Sequence, residues 1–245
     1  MTKGIWLFLA FIATIALTAG FALAIPSGAN WTSSSTTQTP ADDPQEHTAY
    51  AGNLTYLEIY ADSASMSWQG YYGNVTGVIE LANGDGDVFY NWSVANPSGE
   101  VYASPNGTGV ITWGNIACFD ADNSTAVEAL YNISGDDVDG LNETFLDSNT
   151  HAPFFTGSVS FAADACPATY MFDENKEGAA GTFEEVILTD SAKDDILIFA
   201  ALLEPSDEQG FDGEYYDFEM IVMEDGHGTA ASSGTNYYFY VELEA

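Results

Sequence analysis

From Tyr50 onward, short apolar runs alternate with clusters of Gly, Asn and Asp, the pattern of β-strands joined by tight turns. TYLEIYA places Leu57 and Ile59 on one face and Tyr56, Glu58 and Tyr60 on the other. VFYNWSV sets Val88, Tyr90, Trp92 and Val94 against Asn91 and Ser93, and follows Asn83-Gly-Asp-Gly-Asp87, which is hairpin chemistry. EVYAS, GVITWGNIACF, FTGSVSF, ATYMF, TFEEVIL and YYDFEMIVM read as further strands. Ile196–Leu203 is apolar on both faces and predicts a central strand. The last run, NYYFYVELE, predicts Tyr237, Phe239, Val241 and Leu243 inside and Tyr238, Tyr240, Glu242 and Glu244 outside. About eleven such strands predict an all-β fold, an antiparallel β-sandwich of Ig-like or jelly-roll type over residues 49–245.

Two stretches depart from simple alternation. In SMSWQGYYGNVTGVIEL, residues 65–81, Met66 and Trp68 share even parity, whereas Val75, Ile79 and Leu81 share odd parity. The inward face therefore switches inside QGYYG, which predicts one strand bulged at Gly70 or Gly73, with Trp68 in the core. The three aromatics are then not expected to form one sugar-binding platform. The second stretch, STAVEALYNISGDDVDGLNETFLDSN, predicts one or two short helices in a small insertion, about 119–165. Cys118 and Cys166 flank it. In a secreted chain a pair of cysteines predicts a disulfide, and two buried thiols are the alternative.

The first 24 residues have a different character. Lys3 precedes IWLFLAFIATIALTAGFALA, residues 5–24, which carry no charge. This predicts a hydrophobic helix, long enough to span a bilayer. It is read as a signal peptide cut after Ala24, as an uncleaved anchor, or as a filament helix. Each reading places the rest of the chain outside the cell. Residues 25–48, rich in Ser, Thr and Pro, read as a linker.

Charge narrows the partners. Thirty-seven Asp and Glu stand against three Lys and no Arg, for a net charge of −34. Nothing in such a chain neutralises phosphates, so nucleic acid and anionic lipid surfaces are excluded and residues 5–24 are the one route to a membrane. Self-repulsion on this scale calls for screening salt or bound cations. The chain therefore reads either as an extracellular protein of a high-salt medium or as a Ca²⁺-loaded surface protein.

Eight Asn-x-Ser/Thr acceptors occur, at Asn30, Asn53, Asn74, Asn91, Asn106, Asn123, Asn132 and Asn142, with none beyond residue 142. They predict N-glycans on surface positions of the N-terminal part and leave the C-terminal part free to contact a neighbouring subunit.

Candidate chemistry is sparse. DENKEGAAGTFE, residues 173–184, has the spacing of an EF-hand loop, with Asp173, Asn175, Glu177 and Glu184 as Ca²⁺ ligands and Gly178 at position six. Its flanks read as strands, so a metal-free acidic turn competes with that reading. Asp85/Asp87, Asp120/Asp122 and Asp136/Asp137/Asp139 are further acidic clusters. His47, His151 and His227 lack companions at Zn²⁺ spacing. No nucleophile elbow, P-loop or dinucleotide motif appears. No catalytic residue is therefore assigned.

The acidic, Arg-free, sequon-rich character and the string SMSWQGYYGNVTG together resemble secreted archaeal cell-surface glycoproteins. Lys3-Gly4 ahead of the apolar run resembles the leader of archaeal pilins and archaellins. The resemblance implies a filament subunit whose residue 5–24 helix packs in the filament core. The reading is a non-enzymatic extracellular structural glycoprotein, adapted to high salt, that self-associates into a filament or surface layer. The C-terminal strand is a candidate for donation to a neighbouring sheet. A glycan-binding or adhesion module using Ca²⁺ is the alternative, and a secreted hydrolase the third reading.

Overall fold

A computed structural model describes residues 25–40, 43–60, 63–94, 96–206, 208–224 and 234–244. The helix expected over residues 5–24 and His227 lie outside them. Among the described residues no helix is long and apolar enough to cross a membrane.

The chain is mostly antiparallel β. Its strands are Ser27–Gly28 (β1), Trp68–Gly73 (β2), Gly77–Ala82 (β3), Val88–Val94 (β4), Ser98–Ser104 (β5), Ile116–Cys118 (β6), Phe154–Thr156 (β7), Val159–Phe161 (β8) and Ala168–Tyr170 (β9). They continue with Glu184–Asp190 (β10), Lys193–Leu202 (β11), Glu208–Gln209 (β12), Tyr215–Tyr216 (β13), Phe218–Met223 (β14) and Tyr238–Glu244 (β15). Two short helices, Ser124–Leu130 (α1) and Leu141–Thr144 (α2), lie between the cysteines, as the residue pattern predicts.

One sheet dominates, in the order β1-β15-β5-β11-β10-β6, with β9 also pairing with β10. β11 is its middle, and both of its faces are buried. Leu197, Phe199 and Ala201 enter one core with Ile187, Met220, Val222 and Phe145. Ile196, Ile198 and Ala200 enter the other with Val186, Leu188, Phe154 and Phe161. The first core is closed by β14, which pairs with β2, and by α1 and α2. The second is closed by the β7–β8 hairpin and the disulfide region. The segment between the cysteines thus lines both cores, with Val127, Leu141 and Phe145 in one and Phe154 and Phe161 in the other.

Several expectations are corrected. Residues 65–81 are two strands rather than one bulged strand. β2 pairs with β14 and β3 pairs with β4, because the chain leaves one partner for another at Asn74–Thr76. The change of inward parity is real, since Tyr71 and Val75 pack on the same core as Trp68. Residues 55–60 of TYLEIYA form no strand and lie exposed. GVITWGNIACF is largely a 3₁₀ turn, Trp113–Asn115, running into the short β6. FTGSVSF splits into the hairpin β7–β8 around Gly157, whose φ is +59°.

The last strand also differs from its predicted alternation. β15 is hydrogen-bonded along its edges to β5 and β1, and from Phe239 onward side chains of both its faces meet a core. Phe239, Val241 and Leu243 pack on the first core as expected, but Tyr240 and Glu242 are buried in the opposite direction. The two residues of β1 pair with Val241 and Tyr240, and Trp31 meets Phe239 edge-on at 5.9 Å. The start of the predicted linker is thereby docked on the C-terminal strand.

Candidate functional site

The disulfide joins Cys118 and Cys166 with a Cα–Cα distance of 4.9 Å. His151, which the sequence leaves without a role, is buried beside it. Its Nε2 accepts the Cys166 amide at 3.0 Å and its Nδ1 lies 2.7 Å from the Ala152 carbonyl. In that pairing Nε2 is the acceptor and Nδ1 faces a carbonyl. His151 thereby braces the staple. Burial this deep is invisible in sequence, because the partners are main-chain groups.

The acidic side chains find main-chain donors in place of cations. Among the described residues the one ion pair is Lys193 with Asp190, at 4.0 Å. Asp190 also accepts the Thr112 and Ala192 amides, and Asp217 accepts the Val75 amide at 2.6 Å. Buried Glu184 accepts Gly181 and Ala152, each at 2.7 Å, and Glu185 accepts Ile221 at 2.9 Å. Where the acid is ionised, its bond to an amide is charge-assisted and stronger than a neutral one, whereas burial raises the Glu185 carboxyl well above the usual range. With almost no cations available, acids act here as loop clamps.

The candidate Ca²⁺ ligands divide accordingly. Asp173 organises a tight turn, its Oδ1 accepting the Asn175 amide at 2.8 Å and the Glu177 amide at 3.3 Å. Glu184 is turned inward on the two amides named above. The flanking segments are strands β9 and β10, not helices. Among the described residues no group of three His, Cys, Asp or Glu side chains is arranged to hold a metal.

A second acidic arrangement is a closed pair. Glu100 on β5 lies directly opposite Glu242 on β15. Their exposures are 2% and 3%. The Tyr102 hydroxyl lies 3.3 Å from an oxygen of each and 3.1 Å from Thr156 Oγ1, and Glu242 accepts the Gly157 amide at 2.8 Å. Burial, reinforced by Glu244 and Glu242, pushes the Glu100 carboxyl up to about 9. Burial also raises Glu242. Two carboxylates side by side do not both ionise in a dry site, so the pair holds a proton at neutral pH. Neither residue lines the shallow groove beside Trp68 and Tyr237 or the one beside Ile79 and Trp92.

The outer surface carries the remaining features. Asn30, Asn53, Asn74, Asn91, Asn123, Asn132 and Asn142 are exposed, and Asn106 is half-buried. On the β3–β4 hairpin, Ile79 pairs with Trp92 and Leu81 with Tyr90, while Glu80 pairs with Asn91 and Val78 with Ser93. Opposite residues share a face. One face is therefore apolar and the other holds the Asn91 acceptor. The turn is built by Asn83, whose Oδ1 accepts the Asp85 and Asp87 amides, and by Gly86 at φ +86°. Among the described residues this face is only partly covered: Tyr90 is 57% and Trp92 50% exposed.

The aromatics of residues 65–81 do not share a plane. Trp68 sits against Phe145 and Phe199 and donates its indole N–H to the Asp139 carbonyl at 2.7 Å. Tyr71 packs edge-on to Phe239, and Tyr72 turns to Phe211 and Tyr216. No family model matches this chain, and no curated protein or solved structure does so either.

Proposed function

We propose that the chain is a non-enzymatic extracellular structural glycoprotein of a cell surface or surface filament, built for high salt. On this reading the fold is a sandwich of Ig-like or jelly-roll type behind an N-terminal apolar helix. The observation that carries the proposal is the division of the β3–β4 hairpin, with a glycan acceptor on its polar face and a partly exposed aromatic face opposite. A two-stranded hairpin with no partner is marginal in water, and a contiguous apolar face of this kind marks an association surface. A second copy of the chain is the occupant proposed for it. The exposure of seven acceptor asparagines supports the same reading.

The C-terminal strand is a poor donor to a neighbour, since β15 is paired with β5 over Tyr238–Glu244 and buried within its own sheet. A glycan-binding role draws support from exposed Tyr72, Phe211 and Tyr215. Tyr72 meets Phe211 and Tyr216 edge to face, and although Phe211 and Tyr216 lie nearly parallel at 6.5 Å and 17°, the three rings do not make one flat platform. The decisive measurement is mass spectrometry of glycopeptides from protein made in a glycosylating archaeal host, combined with sedimentation of the purified chain. Glycans on the exposed acceptors and concentration-dependent self-association are expected. An unmodified, monomeric protein overturns the proposal.

A further inference from the structure

The fold leaves two parts of the chain incomplete. Residues 54–60 carry the alternation of a strand, with Leu57 and Ile59 on one side and Tyr56 and Glu58 on the other, yet they join no strand and lie exposed. The β3–β4 hairpin is a sheet of two strands, and among the described residues each pairs only with the other. Two strands alone are marginal in water, and a third with a hydrophobic face is what stabilises such a sheet. One part is a strand without a sheet, and the other is a sheet short of a strand.

The two match in length and in pattern. β4 has seven residues, Val88–Val94, and residues 54–60 supply the same number. A strand laid along β4 sends alternate side chains to opposite faces. With Leu57 and Ile59 on the face of Tyr90 and Trp92, Glu58 falls on the polar face with Asn91 and Glu80. A shift of one residue would put Glu58 among the rings and the two aliphatics beside a glycan acceptor, so the pattern selects the first placement. The aromatic face also has room, since it opens on a groove of about 650 Å³ lined by Ile79, Trp92 and Val94, with Ser98 and Glu244 across it.

Charge favours the same seam. A net charge of −34 makes most surfaces of two copies repel each other. β4 contains no charged residue, and residues 54–60 contain one, Glu58. Native edge strands are commonly protected by charges or Pro, and β4 has neither. Within one copy residues 54–60 do not pair with β4. Between copies the contact propagates. A hairpin stacked on the same hairpin of a second copy joins like to like and stops at a dimer. A segment of one copy on the hairpin of the next leaves a free segment at one end and a free hairpin at the other, so it repeats.

We propose that residues 54–60 of one copy add as a third strand to the outer edge of β4 in the next copy, with Leu57 and Ile59 against Tyr90 and Trp92; this rests on the hairpin being a self-association surface, and it names the segment that fills it. Main-chain hydrogen bonds along β4 supply affinity, and the aromatic face selects the side chains.

The test is sedimentation of the full chain, made in a glycosylating archaeal host, at fixed high NaCl. Leu57→Asp with Ile59→Asp spoils the strand and leaves the hairpin. Tyr90→Ser with Trp92→Ser spoils the hairpin and leaves the strand. The wild type is expected to form oligomers larger than a dimer. Each double variant alone should associate about ten-fold more weakly or less, as loss of central apolar contacts predicts. An equimolar mixture of the two should form one-to-one pairs, because one brings the strand and the other the hairpin. Glu58→Gln, on the opposite side of the strand, should not weaken association. Hydrogen exchange should show amide protection within residues 55–60 of the assembled wild type that dilution removes. If the Leu57/Ile59 variant associates as tightly as the wild type while the Tyr90/Trp92 variant does not, the seam is wrong and the surface reading stands. If both variants are monomeric and their mixture stays so, or if residues 55–60 gain no protection on assembly, strand addition between copies is wrong. A monomeric wild type overturns the seam and the surface reading together.

Discussion

Strands β5, β11 and β15 are rich in apolar residues, and so are residues 54–60 and the β3–β4 hairpin, yet their fates are opposite. In the central sheet, Phe199, Ile198 and Tyr102 lose all or nearly all of their surface. In the N-terminal stretch, Ile59 is 83% exposed and Trp92 half exposed. The difference lies in partners, not in residue types. β11 is hydrogen-bonded to β5 and β10 and covered on both faces, whereas residues 55–60 join no strand and β3 and β4 pair only with each other. Alternation states which side chains would share a face. Whether that face is buried depends on what else folds over it.

The largest consequence lies in the core. Phe199→Ala removes a ring packed among Trp68, Phe145 and Tyr237, and about 3–5 kcal/mol of unfolding free energy is expected to go with it. Ile59→Ser is expected to cost no more than about 0.5 kcal/mol, as for exposed sites generally. Denaturant titrations of the two variants measure the contrast directly. Equal costs would mean that residues 54–60 are covered in solution.

The disulfide comes next. Its half-cystines are 48 residues apart, and on the chain-entropy model closing a loop of that size contributes about 4 kcal/mol. Cys118→Ser with Cys166→Ser is expected to lower stability by up to that amount, read from the same titrations. Both cores should loosen together, because the closed loop supplies Leu141 and Phe145 to one and Phe154 and Phe161 to the other.

Much of this was legible in the residues, and the failures share a cause. Ile196–Leu203 announces a central strand because no polar residue interrupts it, and the cysteines announce their own bond. Glu242 and Glu100 could not be read as buried, since a glutamate in an alternating run normally marks the wet face. They are buried because the β7–β8 hairpin closes over this face of β15 and β5, through contacts 85 residues apart such as Gly157 to Glu242. The burial of Glu128, fully enclosed near the end of α1 with its Oε1 on the Leu141 amide, was similarly hidden.

The buried pair also predicts a pH dependence that exposed acids do not share. Glu100 is raised from 4.5 to about 9 in the folded protein, so folding favours its protonated form. Its contribution is therefore intact below about pH 4.5 and is lost progressively as pH rises toward about 9. Glu204 and Glu219, each pushed by burial to about 7, act in the same direction over a narrower window. Tm is expected to fall from pH 5 to pH 9. Glu100→Gln should flatten that slope, while Glu80→Gln on the exposed hairpin leaves it unchanged. A slope that Glu100→Gln does not alter would mean the Glu100–Glu242 pair is ionised throughout.

The smallest effect on stability carries the most about function. Tyr90 and Trp92 face away from Asn91 and meet each other at 4.9 Å and 62°. Replacing both with Ser should move unfolding free energy by about 0.5 kcal/mol per site, because half or more of each residue is already exposed. The same replacement should weaken self-association, since an aromatic face is where association energy concentrates. A change in sedimentation without a change in Tm separates the two roles of an apolar residue, packing within a subunit and packing between subunits. If the double variant lost stability and kept its association, the hairpin would belong to the core after all, and the contrast between the two regions would disappear.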